Sequence, residues 1–223
     1  MKAFFISVLA SIVAAIIIYF TAIPKRCGKA VYRYLGKLMH TDIDYVYRTK
    51  AEANIDIVND IVKAKNISLF SSRGDELRRD TFSTIFLKRQ QNINIKILLP
   101  NPNVDESEYD WTEQREKELK CFDISFGENL LHSQITANIN FLKPHTKSDN
   151  IELRLYNAPH IGRVLIIDDI VYYTPYLSDK HGRDQAIYKF TVDGALANNY
   201  KRLFDQLWSN SIVYVAENST QEI

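Results

Sequence analysis

Four arginines and one aspartate are the side chains best suited to bind an anion: Arg73, Arg154, Arg163, Asp168 and Arg183. The planar guanidinium of arginine can donate two parallel hydrogen bonds to a carboxylate or a phosphate. Arg154 and Arg163 fall on neighbouring predicted strands. Arg73 and Arg183 fall in loops after strand ends, where open α/β sheets usually hold their ligands. The sequence therefore predicts that at least two of these arginines point into one open pocket.

A closed network of charges is the alternative interpretation of the same residues. An unpaired arginine inside a sheet would be costly, so Arg163 needs a carboxylate partner. Asp168, Asp169 and Glu152 are the candidates within the same stretch. Under this alternative the arginines are scaffolding and hold no ligand.

Three predicted strands position these side chains. Ile151, Leu153 and Leu155 alternate with polar residues, which predicts a half-buried strand over residues 151–156. Residues 164–167 and 170–174 are apolar runs on either side of two aspartates, which predicts two buried strands joined by a turn. We expect the three strands to lie in the middle of one sheet.

The same stretch resembles the phospholipase-D-like superfamily, whose signature is His-x-Lys-x4-Asp followed by Gly-Ser. Arg163 stands five residues before Asp168, at the position of the family's lysine. Ile161 stands at the position of its nucleophilic histidine. His160 is one position away, and a shift of one residue on a strand turns a side chain to the opposite face.

A branch of this superfamily found in bacterial regulators and sensors is the closer resemblance. That branch carries an R-x-Y strand, an I-I-D-D turn, a P-Y-L segment and a G-R-D segment, and Pro175-Tyr176 replaces the Gly-Ser here. The matching residues are Arg154, Tyr156, Asp168, Asp169, Pro175, Tyr176, Leu177, Gly182, Arg183 and Asp184. The branch also has an arginine near the start of a long helix, for which Arg115 is the candidate.

The resemblance implies a phosphodiesterase chemistry that this sequence retains only in part. Catalytic members use one histidine as nucleophile, a second as general acid, and lysines on the phosphate. Ile161 can do neither histidine task, so no catalytic residue is predicted unless the protein is an enzyme that uses His160. Arg163 can still hold an anion. We expect no cofactor and no metal.

The composition is that of one globular domain with an appendage. The chain has 223 residues, of which 25% are charged and 46% are hydrophobic. A net charge of +1 argues against nucleic-acid binding through bulk electrostatics. Cys27 and Cys121 are the two cysteines, which indicates a reducing compartment.

An uncharged segment over residues 3–23 is long enough to cross about 30 Å of hydrocarbon as a helix. An uncleaved anchor is favoured over a signal peptide, because Phe20 and Ala22 stand where a cleavage site needs two small residues. Lys2 precedes the segment, and Lys25, Arg26, Lys29, Arg33 and Lys37 follow it. The positive-inside rule then predicts a single-pass protein of the bacterial inner membrane with its large domain in the cytoplasm.

Four segments are predicted along the chain. They are a transmembrane anchor over residues 1–24, a juxtamembrane helical linker over 25–65, a phospholipase-D-like domain over 66–210 and a tail over 211–223. The basic part of the linker either lies on the inner leaflet or packs on its own domain. The predicted fold class is α/β, a single layered sheet-and-helix domain.

Local patterns predict several elements of this domain. Thr49 and Glu52 have the spacing of a capping box, which predicts a helix with the apolar face Ile55, Val58, Ile61 and Val62. A second predicted helix follows Ser72-Arg73-Gly74-Asp75, with Leu77, Phe82, Ile85 and Phe86 on its apolar face. Residues 111–142 are predicted to be helical with a break near Gly127. Residues 186–191 are predicted to be an edge strand, before a closing helix that follows Gly194.

Three functional hypotheses follow. The first is a membrane-anchored, non-enzymatic sensor or effector that binds an anionic ligand, such as a nucleotide-like one, or a protein partner, and acts as a homo-oligomer such as a homodimer. The second is a membrane-bound phosphodiesterase, either a nuclease or a phospholipase. The third is a structural anchor for a partner encoded by a neighbouring gene. A nucleotide synthase, reverse transcriptase or nuclease next door would indicate antiviral (phage) defence.

Overall fold

The computed structural model describes residues 10–16, 28, 30–31, 34–36, 42–78, 93–146, 150–191 and 194–214. From residue 42 onward the described elements, in chain order, are β1 (Ile43–Tyr47), α1 (Lys50–Lys63), β2 (Asn66–Phe70), β3 (Asn94–Pro100), α2 (Trp111–Phe122), α3 (Leu130–Leu142), β4 (Ile151–Tyr156), β5 (Gly162–Ile167), β6 (Ile170–Pro175), β7 (Ile187–Phe190), α4 (Ala195–Ser209) and β8 (Ile212–Val213). Two 3₁₀ turns, Asp75–Leu77 and Gly182–Asp184, follow β2 and precede β7 respectively.

The eight strands form one mixed sheet in the order β1-β7-β6-β5-β2-β3-β4-β8. β3 is parallel to β2 and to β4, and the other neighbouring pairs are antiparallel. The predicted α/β class is confirmed. β4, β5 and β6 all lie in the interior of the sheet, as expected, but β4 is not a neighbour of β5, because β2 and β3 lie between them. Alternation of residue types predicts the burial of a strand, but it does not predict which strand lies beside it.

Helices cover both faces of the sheet and create two apolar layers. On one face, Leu165 and Ile167 of β5 belong to a core that includes residues of α1, α2 and α3. On the other face, Val164 and Ile166 pack in a second core with Phe204 and other residues of α4. Because successive side chains of a strand point to opposite faces, each strand residue can be assigned to one of the two layers.

Helix α1 begins where the capping pattern predicts, but it buries a different face. The Thr49 hydroxyl accepts a hydrogen bond from the backbone N–H of Glu52 at 3.3 Å. Ala53, Ile57 and Ile61 face the core, whereas Ile55 is 70% exposed and Val62 is 60% exposed. The predicted set and the buried set of side chains are both apolar, and a small residue such as Ala53 lets the helix approach the sheet closely. The predicted face is therefore wrong at Ile55 and Val62, whereas Ile61 is buried and Val58 is half-buried.

Strand β1 lies in the segment predicted to be a helical linker. It pairs with β7 in antiparallel register, with Tyr47 opposite Ile187. Tyr47 is buried in the same core as Ile57 of α1, so the sheet extends to the amino-terminal side of residue 66. The prediction of β7 as an edge strand is wrong, because β1 occupies that edge.

The break predicted near Gly127 is confirmed as the junction of α2 and α3. Asp110 caps α2 by accepting hydrogen bonds from the backbone N–H groups of Thr112 and Glu113. The buried Glu116 carboxylate accepts from the backbone N–H groups of Asn129 and Leu131, at 2.6 and 3.0 Å. A carboxylate is favourable at a helix amino terminus, so Glu116 of α2 anchors the start of α3.

Most of the predicted anchor and its basic flank lie outside the described residues. Residues 10–16 are the described part of the anchor, and they are helical. Among the described residues, no helix has both the length and the apolar character needed to cross a membrane. Three residues of the helix predicted after β2, Phe82, Ile85 and Phe86, also lie outside the described residues.

Candidate anion-binding site

An open cleft of about 480 Å³ lies against β5 and β6 on the face of the sheet that carries α1, α2 and α3. Its basic lining side chains are Lys50, Arg73, Arg115, Arg163 and Arg183. Its acidic lining side chains are Asp75, Glu76 and Asp123. Among the described lining residues, five basic groups lie with three carboxylates, which gives an excess of positive charge. A concave site with an excess of one sign concentrates ions of the opposite sign.

Arg163 and Thr174 form the buried base of this cleft. They are directly opposite each other on the antiparallel strands β5 and β6. Arg163 is 6% exposed and Thr174 is 2% exposed. Among the described residues, the Nε and Nη2 of Arg163 and the Oγ1 of Thr174 have no hydrogen-bond partner. Three buried polar atoms with unused hydrogen-bonding capacity therefore lie beside an open space.

Gly162 allows the two strands to approach at this point. A Cβ atom on Gly162 would lie 2.5 Å from the ring of Tyr173 and 2.7 Å from the carbonyl oxygen of Thr174. Both distances are shorter than van der Waals contact, so a larger residue would displace β6. The glycine thus helps to hold Arg163 opposite Thr174.

Glu76 is the carboxylate that faces Arg163. Its Oε1 lies 3.7 Å from Arg163 Nη1, which is an ion pair that is too long for a hydrogen bond. The three partners predicted from the sequence, Asp168, Asp169 and Glu152, are wrong. Glu76 belongs to the first 3₁₀ turn, which is remote from Arg163 in sequence, so no local pattern could have identified it.

Asp168 lies outside the cleft, at the opposite end of β5. Five residues of strand separate it from Arg163, which corresponds to about 16 Å. Its carboxylate accepts hydrogen bonds from the backbone N–H groups of Lys65 and Asn66, the latter at 2.8 Å. Its φ is +48°, as the turn between β5 and β6 requires. Asp168 therefore fastens the start of β2 to this turn, and the structure does not bring it to the predicted ligand site.

Arg154 lies on the other face of the sheet. Leu153 belongs to the core that contains Leu165, so Arg154 must point toward α4. Its guanidinium stacks on the ring of Trp208 at 4.6 Å and donates a hydrogen bond to the Trp208 carbonyl at 3.1 Å. The expectation that Arg154 shares a pocket with Arg163 is wrong, because the two residues belong to different layers.

Arg73, Arg183 and Arg115 surround the cleft. The side chain of Arg73 is 25% exposed and lies 3.6 Å from Asp75. Arg183 is largely exposed, and among the described residues its ion pair is a loose one with Asp184 at 3.6 Å. Arg115 was predicted as the arginine of the long helix but not as a ligand-binding residue. It is held by Glu118 at 2.6 Å and has less freedom to turn toward a ligand.

Two histidines have different relations to the cleft. His160 is buried against the ring of Tyr156 and does not line the cleft. Burial, reinforced by the positive charge of Arg115, lowers the pKa of His160 to about 3. His181 does line the cleft, and its Nε2 lies 3.0 Å from an oxygen of Asp123. The sequence singled out His160, but the structure brings His181 to the site.

The described residues include no group of three or more histidine, cysteine and acidic side chains that could hold a metal ion. The described part of the cleft offers guanidinium, ammonium, hydroxyl, carboxylate, amide and imidazole groups.

Comparisons with known proteins give distant structural similarities. No family model and no curated protein matches the chain. TrmBL2, an archaeal chromatin protein with a novel mode of DNA binding, is 16% identical with a TM-score of 0.46, covering 94% of this chain and 68% of its own. Nuc from Salmonella typhimurium, a phospholipase D family member, is 14% identical with a TM-score of 0.47, covering 76% and 96%. NucT from Helicobacter pylori is 13% identical with a TM-score of 0.45, covering 76% and 98%.

Proposed function

We propose that this protein is a phospholipase-D-like binding module that holds an anionic ligand in the cleft and does not hydrolyse it. One observation carries the proposal: the Arg163 guanidinium is buried beside an open cleft, and two of its nitrogens have no partner in the described part of the chain. Desolvating a guanidinium without satisfying its N–H groups is costly. A bound anion would remove that cost.

A phosphate or carboxylate group fits the donors at this position. Arginine can offer two parallel N–H groups, and the hydroxyl of Thr174 lies on the directly opposing strand position. Arg73 and Arg183 add positive charge at the rim. In the superfamily that the sequence resembles, the residue at the position of Arg163 is a lysine that contacts phosphate. Arg163 would keep that binding role.

The histidines near the described part of the cleft argue against hydrolysis. Ile161 stands where the superfamily has its nucleophilic histidine. His160 is buried outside the cleft with a lowered pKa, so it cannot reach a phosphorus atom held by Arg163 without rearrangement. The two-histidine mechanism needs a nucleophile and a separate general acid. His181 is the single histidine among the described lining residues.

A phosphodiesterase is the second candidate, and His181 is the observation that favours it. An imidazole oriented by a carboxylate is a common catalytic arrangement, and His181 is paired with Asp123 inside the cleft. The described lining residues include no second histidine, so this alternative needs one from elsewhere, such as another copy of the chain. This alternative predicts metal-independent hydrolysis of a phosphodiester that is lost in His181→Ala and unchanged in His160→Ala.

The cellular role proposed here is that of a membrane-anchored sensor or effector. Residues 3–23 would form the single-pass anchor in the bacterial inner membrane, with the cleft on the cytoplasmic side. Ligand binding would change how neighbouring copies, or a protein encoded by a neighbouring gene, are arranged. A role in antiviral defence rests on what those neighbouring genes encode. Digestion of the domain by protease added outside intact spheroplasts would refute the proposed orientation.

Isothermal titration calorimetry on the full-length protein in detergent tests the proposed function. The ligands are inorganic phosphate and methyl phosphate, and the variants are Arg163→Lys, Thr174→Val and the exposed control Arg202→Ala. Arg163→Lys should weaken binding 10- to 100-fold, since a hydrogen bond to a charged group contributes about 1.5–3 kcal/mol. Arg202→Ala should bind like the wild type. If the wild type binds neither anion, or if Arg163→Lys binds both with unchanged affinity, the proposal is wrong.

A further inference from the structure

Two buried hydrogen-bond acceptors line the same cleft as the buried donors. They are the Oε1 atoms of Glu76 and Gln134, and neither has a hydrogen-bond partner among the described residues. Glu76 belongs to the turn after β2, and Gln134 belongs to α3. A fully deprotonated anion such as the methyl phosphate dianion has only acceptor oxygens, so it could satisfy Arg163 and Thr174 but would leave both of these oxygens unsatisfied.

Glu76 also opposes a simple anion electrostatically. Its side chain is 10% exposed, and its carboxylate lies 3.7 Å from the guanidinium that the anion must reach. An anion held by Arg163 would lie close to this carboxylate, and like charges repel each other. A ligand that donates a hydrogen bond to Glu76 would offset part of this repulsion. Without such a donor, Glu76 would weaken the site.

We infer that the ligand carries hydrogen-bond donors as well as a phosphate or carboxylate group, as phosphorylated sugars and nucleotides do. Its anionic group would meet Arg163 and Thr174, and its hydroxyl or amino groups would meet Glu76 and Gln134. A cleft of about 480 Å³ is within the usual range of about 300–1,000 Å³ for sites of small organic ligands. This inference rests on the proposed anion-binding function and assigns Glu76 a role in selecting the ligand.

Three probes separate the contributions of the anionic group and the donors. Methyl phosphate is predominantly the dianion at pH 8 and has no donor in that form. Ribose 5-phosphate adds hydroxyl donors, and adenosine 5′-monophosphate adds a base with an amino group. Calorimetry on the full-length protein at pH 8 should show at least 10-fold tighter binding of one or both donor-bearing probes than of methyl phosphate. The stronger of the two identifies whether the sugar or the base provides the recognised donors.

Substitution of Glu76 should change the affinities for methyl phosphate and for the donor-bearing probes in opposite directions. Glu76→Gln removes the negative charge, so the affinity for methyl phosphate should rise about 5-fold or more while the affinity for the preferred donor-bearing probe falls. Gln134→Leu should weaken the donor-bearing probe 3- to 10-fold and leave methyl phosphate unchanged, because a neutral hydrogen bond contributes about 0.5–1.5 kcal/mol. Glu152→Gln, an exposed site on β4, is the matched control and should alter neither.

The outcomes distinguish this inference from the proposed function. If no probe binds the wild type, the proposed function itself fails. If all three probes bind equally, the cleft holds anions but the inference about donors is overturned. Glu76→Gln binding every probe more tightly would also overturn it, because Glu76 would then act only by repulsion. Since Gln134 is only partly buried, Gln134→Leu gives an independent result if Glu76→Gln does not fold.

Discussion

Replacing Thr174 with valine distinguishes a ligand-binding hydroxyl from a scaffolding one. Valine has nearly the same shape as threonine, but it exchanges the hydroxyl for a methyl group. In most buried sites this loses a hydrogen bond and costs about 0.5–1.5 kcal/mol. Thr174 is 2% exposed, and its Oγ1 has no partner among the described residues. Here the hydroxyl has been desolvated without compensation, at a cost of about 1–3 kcal/mol on protein mutational scales.

We therefore expect Thr174→Val to raise the free energy of unfolding of the ligand-free protein by up to about 1–2 kcal/mol. A bound anion should stabilise the wild type more than it stabilises the variant. At a concentration of 100 times its Kd, a ligand stabilises the wild type by about 2.7 kcal/mol, and a variant that binds 5-fold more weakly gains only about 1.8 kcal/mol. The measurement is urea unfolding of the full-length protein in detergent, with and without methyl phosphate, followed by the near-ultraviolet circular dichroism of its aromatic residues.

Thr146→Val is the matched control, because the Thr146 hydroxyl donates to the carbonyl of Lys143 at 3.0 Å. That variant should lose about 0.5–1.5 kcal/mol and should keep the full stabilisation by ligand. If Thr174→Val is destabilised by more than 1 kcal/mol without ligand, the hydroxyl is already hydrogen bonded in the folded protein. The reasoning that leads from an unsatisfied atom to a ligand site would then be refuted.

Three further predictions concern residues outside the cleft. Asp168→Ala should lower the free energy of unfolding by about 1–2 kcal/mol, because it removes the acceptor of the Lys65 and Asn66 N–H groups and leaves alanine at a positive φ. The variant should bind anions with unchanged affinity. Arg154→Ala should lower the free energy of unfolding by about 1–2 kcal/mol through loss of the Trp208 contacts, and it should leave the anion affinity unchanged. The pKa of His160 in the folded protein is lowered to about 3, so below about pH 6.5 the unfolded state binds more protons than the folded state. The free energy of unfolding should therefore fall by about 2 kcal/mol between pH 7 and pH 5. His160→Leu should remove that part of the pH dependence.

Urea unfolding and anion titrations check these predictions together. Weaker anion binding by Asp168→Ala or Arg154→Ala, at a temperature where each variant is folded, would place those residues in the binding site after all. A pH dependence that is the same in the wild type and in His160→Leu would show that His160 is not the buried neutral group described here.

The capping of α1, the break between α2 and α3 and the turn after β5 were all predictable from the sequence. Each depends on interactions within a few residues. Thr49 caps its own helix, and Asp168 occupies the αL-like conformation that short polar residues tolerate in turns. The membrane anchor remains a prediction of the same local kind, from an uncharged run and its basic flank.

The buried face of α1 and the position of β1 were not predictable in the same way. Ile55 and Ile57 are equally apolar, and the choice between their two stripes depends on which one meets the sheet. β1 joins β7, which lies far away along the chain, so its pairing leaves no mark in its own sequence.

From the sequence alone, Arg163 was predicted to lie in an apolar strand next to an aspartate turn and to need a compensating partner there. The identity of that partner depends on the packing of distant segments. The pairing of β5 with β6 places Thr174 opposite Arg163, and the turn after β2 places Glu76 beside it. Arg154 lies on the α4 face, because successive side chains of β4 alternate between the two faces of the sheet. Alternation and turn conformation depend on a few adjacent residues, whereas strand pairing and helix packing join side chains that are distant in sequence.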